Sequence, residues 1–304
     1  MENTWLKRSL LSGVLAALSV SPLSAEIIEV FATGVDPTDK SSYANVQQGR
    51  LPTCWAASGS NVIGHWQAYH APQSDAPKSA QDVYETYLSI YSGYTGGEPD
   101  PLYRWWLGHY SAGAVGGYYP TDAFWTAGGY YKDIFTESEV ADLAWQYTSM
   151  FRVWESDTFY TTYLSRAIYY ALLNGHAMSI NIPNRQHAIT IYGATFDTET
   201  DLLTSVWVCD SSGACFDKDE MSHIQVGLRE NSWGANRLCL FAYYGASTEF
   251  IDYYGNMYIE DVYFLGNSAT NTVNFVFAIP EPSAFGLIAG LGVIAFAGIR
   301  RRRK

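Results

Sequence analysis

The sequence predicts an α+β domain, with helices in its first half and an antiparallel sheet in its second. Two observations carry this reading. Apolar residues in the first half recur at helical spacing, as in Lys78–Tyr91, where Val83, Tyr87 and Ile90 share one face, and in Glu137–Met150 and Phe159–Leu173. Beyond Asn174-Gly175, a helix stop, the period changes. Met178–Ile182, His187–Tyr192, Leu203–Cys209, Ile224–Leu228, Leu238–Tyr244 and Val273–Ala278 then read as strands separated by turns. Between the first two helices, residues 93–131 are rich in Gly, Tyr and Trp and read as a long ordered loop region.

Two ends stand apart from this domain. Residues 1–25 have the layout of a secretory signal peptide: Lys7 and Arg8, an apolar run from Leu10 to Val20, and small residues ending at Ala25. At the other end come Pro280-Glu281-Pro282-Ser283, sixteen uncharged residues from Ala284 to Ile299, and a basic cluster from Arg300 to Lys304. Such a segment spans about 24 Å as a helix, slightly short of a hydrocarbon core about 30 Å thick. Its basic end holds the C-terminus in the cytoplasm. The intervening residues 26–280 carry 11 basic and 28 acidic side chains, a net charge of −17. That surface excludes nucleic acid as a partner and direct docking on an anionic membrane. Membrane contact is confined to the C-terminal segment. Intrinsic disorder is excluded by a hydrophobic content of 48% and an aromatic content of 16%. An exported, acidic, folded domain remains.

The most informative segment is Gln48-Gly49-Arg50-Leu51-Pro52-Thr53-Cys54-Trp55-Ala56-Ala57-Ser58-Gly59. Pro52 breaks the preceding chain and Thr53 is a suitable N-cap. Trp55, Gly59, Val62, Ile63 and Trp66 then mark the buried face of a helix. Cys54 falls in its first turn, where the macrodipole and free backbone N–H groups stabilise a thiolate. Those N–H groups also suit an oxyanion on a substrate carbonyl, and Gln48 is placed to supply a side-chain donor.

A cysteine nucleophile needs a base. His187 follows a turn and opens the strand Ala188 to Tyr192, a position that faces a cleft. His65 lies three turns along the Cys54 helix and His176 follows a helix stop, so both are poorer candidates. The strand Leu203–Cys209 pairs with the His187 strand through the turn Asp197 to Asp201 and ends at Asp210-Ser211-Ser212-Gly213. Asp210 is thereby placed to orient the imidazole, and Asn231, in Asn231-Ser232-Trp233-Gly234, is its rival. The acids Asp197, Glu199 and Asp201 lack the glycine and downstream glutamate of a calcium loop. Export makes Cys209, Cys215 and Cys239 candidates for disulfides, above all a Cys209–Cys215 bridge around Asp210. Their spacing with His223 is not that of a zinc site, and no metal or cofactor is expected.

Two stretches, CWAASGSNVIGHW at 54–66 and HAITIYGATFDTETDLLTSVWVCDSS at 187–212, resemble the IgG-degrading Ide/Mac cysteine peptidases of the papain-like superfamily. The resemblance implies a papain-like fold in which the nucleophile helix of a helical N-terminal part packs on a C-terminal antiparallel sheet. It implies Cys54 as nucleophile, His187 as base and Asp210 as orienting carboxylate. Two positions depart from that family: Gln48 stands where a lysine is expected for the oxyanion hole, and Ser212 replaces a second aspartate. Specificity for antibodies is not carried over. The tail, residues 281–304, with its order of PEP, short transmembrane segment and arginines, resembles the PEP-CTERM sorting signal of Gram-negative bacteria. That resemblance implies an exosortase-type partner, loss of the tail, and delivery to the outer envelope, the cell surface or the medium.

The expectation is an exported cysteine endopeptidase acting on a polypeptide or glycoprotein substrate through an acyl-enzyme. A transglutaminase-like acyl transferase and a catalytically idle surface adhesin on the same fold are the alternatives.

Overall fold

The structure, a computed structural model, describes residues 26–49, 52–68, 75–90, 98–108, 129–148, 157–182, 187–214, 216–230, 236–241, 257–259 and 261–266. The signal segment, Asn231, Cys215, the expected strand Val273–Ala278 and the C-terminal tail lie outside them.

Among the described residues, nine strands form one antiparallel sheet. In chain order they are β1 (Ile27–Phe31), β2 (Ala144–Thr148), β3 (Met178–Ile182), β4 (His187–Asp197), β5 (Leu202–Cys209), β6 (Ser222–Glu230), β7 (Asn236–Phe241), β8 (Met257–Tyr258) and β9 (Asp261–Leu265). Their spatial order is β2-β9-β3-β4-β5-β6-β7-β8, with β1 also on β4. The long strand β4 is the keel. Its first half, His187–Ile191, pairs with β3, and its second half, Gly193–Asp197, pairs with β1. Its other edge runs along β5 with a register shift between Ile191 and Gly193. Gly193 is required there because a Cβ would lie 2.3 Å from the Phe31 ring. The β4–β5 turn forms as expected, with Glu199 N–H donating to Asp197 Oδ1 at 2.8 Å and Asp201 at φ 57°.

The helices are α1 (Cys54–Trp66), α2 (Ala80–Ile90), α3 (Pro99–Leu107), α4 (Glu137–Leu143) and α5 (Asp157–Leu173). They sit on both faces of the sheet, each face with its own core. On one side α5 places Leu164, Ile168, Ala171 and Leu172 against Ile180, Ile189, Ile191, Val206 and Leu238. On the other, α1, α2 and α3 bury Trp55, Ile63, Val83, Tyr87, Leu102, Trp105 and Trp106 with Ala188, Tyr263 and Leu265 of the sheet. The α1 helix is buried nearly all round, as an interior helix between two layers must be. Its glycines allow this. A Cβ on Gly59 would lie 2.7 Å from Leu102, and one on Gly64 2.7 Å from Ala80.

Three expectations are corrected. The helix read over 137–150 stops at Leu143, and Ala144–Thr148 turns into β2 against β9. A capping box of Thr136 and Glu139 starts the helix, but Trp145-Gln146-Tyr147-Thr148 is β-prone sequence that finds a partner edge. The stretch read as a loop over 93–131 contains α3. Pro99 and Pro101 occupy its first turn and Gly108, at φ 88°, ends it, the arrangement that proline and glycine favour at the two ends of a helix. Strands β1, β8 and β9 add to those that the sequence indicates. By contrast, α5 ends at Asn174-Gly175 as its sequence indicates: Gly175 N–H donates to Leu172 O at 2.8 Å and His176 N–H to Ala171 O at 2.8 Å. Among the described residues no helix is long and apolar enough to cross a membrane.

Candidate active site

The head of α1, the start of β4 and the end of β5 converge. Cys54 is the first residue of its helix and His187 the first of its strand. Asp210 follows directly on β5. His187 Nε2 lies 2.9 Å from Asp210 Oδ1, and the imidazole is hydrogen-bonded to the Cys54 thiol as well. Three side chains far apart in sequence thus form one hydrogen-bonded chain.

Electrostatics match the geometry. Burial alone raises the Cys54 pKa, but the hydrogen bond and charge of His187, with backbone N–H groups of Ala188 and Trp55, bring it below the ordinary thiol value. Burial alone lowers that of His187, but hydrogen bonds and charges from Asp210 and Cys54 raise it to about 9. Each partner favours the charged form of the other. Cys54 is half-buried, so the thiolate remains open to reagents.

The expected cap is absent: Thr53 makes no side-chain bond to the helix. Its hydroxyl lies 2.6 Å from Tyr84 Oη instead, and its carbonyl accepts from Ala56 and Ala57 N–H at 3.0 Å. Diverting the hydroxyl leaves Trp55 N–H to the sulfur of Cys54. Tyr84 also donates to the Gln48 carbonyl at 3.3 Å, which fixes buried Gln48 beside the same helix entrance.

Asp210 is fully buried and well supplied with donors. Besides His187, Oδ1 accepts from Ser212 N (3.1 Å), Ser212 Oγ (2.8 Å) and Gly213 N (3.1 Å), while Oδ2 accepts from Phe216 N (3.0 Å). Ser212 Oγ also lies 3.4 Å from His187 Nε2. Ser212 therefore braces Asp210.

A buried polar seam joins α1 to the sheet beneath the site. Ser58 Oγ lies 2.7 Å from Ser179 Oγ and 3.0 Å from Thr190 Oγ1. Asn61 Nδ2 donates to Thr190 Oγ1 at 3.0 Å and Ser211 Oγ at 3.2 Å, and Asn61 Oδ1 accepts from Val46 N–H at 2.8 Å. The small polar residues of Ala57-Ser58-Gly59-Ser60-Asn61 are the available signal, although helical spacing alone reads them only as part of a helix face.

The other histidines lie elsewhere. His65 is buried with its ring 5.9 Å from that of Tyr192, and burial pushes its pKa down to about 4. His176 stacks on Phe264 at 5.5 Å, and His223 stacks on Trp207 at 4.2 Å on the outer sheet face. Cys209 is a free thiol sealed in the core, where burial raises its pKa; Cys215, its expected disulfide partner, lies outside the described residues. Among the described residues no cluster of three or more His, Cys, Asp or Glu is arranged to hold a metal ion.

A neutral buried His65 makes a testable contribution. The unfolded chain binds a proton near pH 6.5 and the folded one only near 4, so stability is lost as pH falls through that window. The limit is about 3 kcal/mol. His65→Phe is expected to shrink the drop in urea midpoint between pH 7 and pH 4; an unchanged drop would assign the acid sensitivity to other groups.

What fold and site define together is an α+β chain with a paired cysteine and histidine at a helix–strand junction. Residues 278–303 match the PEP-CTERM protein-sorting motif. That motif indicates export and cell-envelope sorting in Gram-negative bacteria, and exosortase-type enzymes recognise such signals. No curated protein sequence matches the chain.

Proposed function

We propose that this chain is an exported, papain-like cysteine endopeptidase in which Cys54 is the nucleophile, His187 the base and Asp210 the orienting carboxylate. The observation that carries the reading is the hydrogen-bonded Cys54–His187–Asp210 chain at the head of α1. The Cys54 thiolate attacks the scissile carbonyl, and the oxyanion is held by backbone N–H groups of the helix entrance with Gln48 as side-chain donor. His187 protonates the leaving amine, then takes a proton from water as that water attacks the thioester, releasing the acid and restoring the thiol–imidazole pair. No step requires a metal. Processing by an exosortase would leave the domain on the cell surface, in the outer envelope or in the medium.

The test needs no substrate. Iodoacetamide is expected to alkylate Cys54 of the full chain rapidly below pH 7, with the label located by peptide mass spectrometry. His187→Ala is expected to shift that labelling to the range of a free thiol, near pH 8.5. Labelling of the unaltered chain that rises only in that range would sink the peptidase reading and favour the idle binding module.

A further inference from the structure

The segment that leads into α1 takes its shape from its neighbours. Residues 44–48 form neither helix nor strand, and Val46 and Gln48 are buried while Gln47 is exposed. The backbone polar groups of such a stretch need partners. Side chains from three elements supply them. Tyr192 Oη of β4 donates to Ala44 O at 2.6 Å, and Asn61 Oδ1 of α1 accepts from Val46 N–H at 2.8 Å. Helix α2 takes the next two residues: Gln81 Oε1 accepts from Gln47 N–H at 2.9 Å, and Tyr84 Oη donates to Gln48 O at 3.3 Å. Gln81 and Tyr84 stand one turn apart, on one face of α2.

Tyr84 does more than Gln81. Its hydroxyl also meets Thr53 Oγ1 at 2.6 Å, so one oxygen ties the residue with the side-chain oxyanion donor to the residue before the nucleophile. A phenol has one proton to give. With that proton on Gln48 O, Tyr84 Oη accepts from the Thr53 hydroxyl, and the bonds run one way from Thr53 through Tyr84 to Gln48. Tyr84 is buried, and the charge of Cys54 is felt at its hydroxyl, which places the phenol close to the nucleophile. The groups that favour the Cys54 thiolate, His187 with the N–H groups of Ala188 and Trp55, belong instead to β4 and α1. Thiolate and Gln48 thus rest on different supports.

We propose that Tyr84 is a positioning residue for the oxyanion hole. By joining the Gln48 carbonyl to the Thr53 hydroxyl it sets the Gln48 side chain against the backbone N–H groups of α1. It governs attack on a carbonyl and leaves thiolate formation to His187. This proposal rests on the peptidase reading and adds a residue to its machinery. A misplaced donor costs most where negative charge develops on the carbonyl oxygen. Iodoacetamide loses iodide from a saturated carbon, and no oxyanion forms there. Acetylation by p-nitrophenyl acetate does form one: the thiolate adds to the ester carbonyl and the electron pair moves onto oxygen. Its return expels p-nitrophenolate and leaves a thioester on Cys54.

The experiment compares the two reagents on the full chain below pH 7, with both labels on Cys54 read by peptide mass spectrometry. Tyr84→Phe, which keeps the ring and removes the hydroxyl, is expected to slow acetylation about tenfold and to leave the pH profile of alkylation unchanged. Gln48→Ala should lose at least as much acetylation, and adding Tyr84→Phe to it should cost nothing further, because the two act as one unit. Thr53→Val, which removes one end of the clamp, is expected to show the same bias in smaller measure, and it decides the matter if Tyr84→Phe does not fold. A Tyr84→Phe protein that loses both reactions in equal proportion, the mark of a purely structural role, overturns the proposal. So does one that loses neither, and so do losses that multiply in the double variant. Any of these beside fast alkylation of the unaltered chain overturns this proposal alone. Slow alkylation of the unaltered chain overturns the peptidase reading and this inference with it.

Discussion

Replacing Asp210 with alanine is expected to cost about 3–5 kcal/mol of folding stability, because it strips a buried charge pair of one partner. The loss orphans the Nε2 side of His187, the backbone N–H groups of Ser212, Gly213 and Phe216, and the Ser212 hydroxyl at once. Urea denaturation monitored by tryptophan fluorescence reads this directly. The variant should also change the alkaline limb of stability. His187 has a folded pKa of about 9 against 6.5 in the unfolded chain, so its stabilisation is complete below pH 6.5 and is lost as pH rises through 9. Without Asp210 the folded pKa of His187 falls, so the stabilisation is smaller and its loss is complete at lower pH, and Cys54 labelling below pH 7 slows. Asp210→Asn keeps an acceptor for His187 but turns an amide toward a donor on the other side, so it should fall between the two. A variant with the parental urea midpoint and the parental labelling profile would remove Asp210 from the site.

Trp105→Ala is the second large effect expected, about 3–5 kcal/mol from lost burial and the cavity left behind. Trp105 is fully buried, with its ring 5.2 Å from that of Tyr87 and 5.8 Å from that of Tyr130, both edge-on. It anchors α3 to α2. A protein that survives the substitution should keep fast iodoacetamide labelling, since α1 and β4 stay joined by their own bonds. Thermal melts and the labelling rate test both parts. Slow labelling of a folded variant would mean that α3 supports the cysteine as well.

Local chemistry decides what the sequence reveals. Pro52 and the apolar spacing after Cys54 mark α1 without reference to the rest of the chain, and Asn174-Gly175 marks the end of α5 in the same way. His187 and Asp210 are legible because the short turn between their strands fixes which ends are neighbours. Residues whose state depends on distant partners are not legible. Ala144–Thr148 becomes a strand only because β9, more than a hundred residues later, offers it an edge. Thr53 looks like a cap because nothing local announces that Tyr84 will claim its hydroxyl. A reading by period and spacing has no access to such meetings.

The polar seam under α1 has a mechanical consequence. Two surfaces joined by leucines can slide, because the dispersion attraction given up at one position is recovered at the next. The hydrogen bonds of Ser58 and Asn61 are not replaced so easily: a displacement along the helix axis strands several buried hydroxyl and amide groups, each at about 1–3 kcal/mol. The height of Cys54 above the sheet is therefore indexed, as a key is by its lock, and the sulfur stays where the imidazole is.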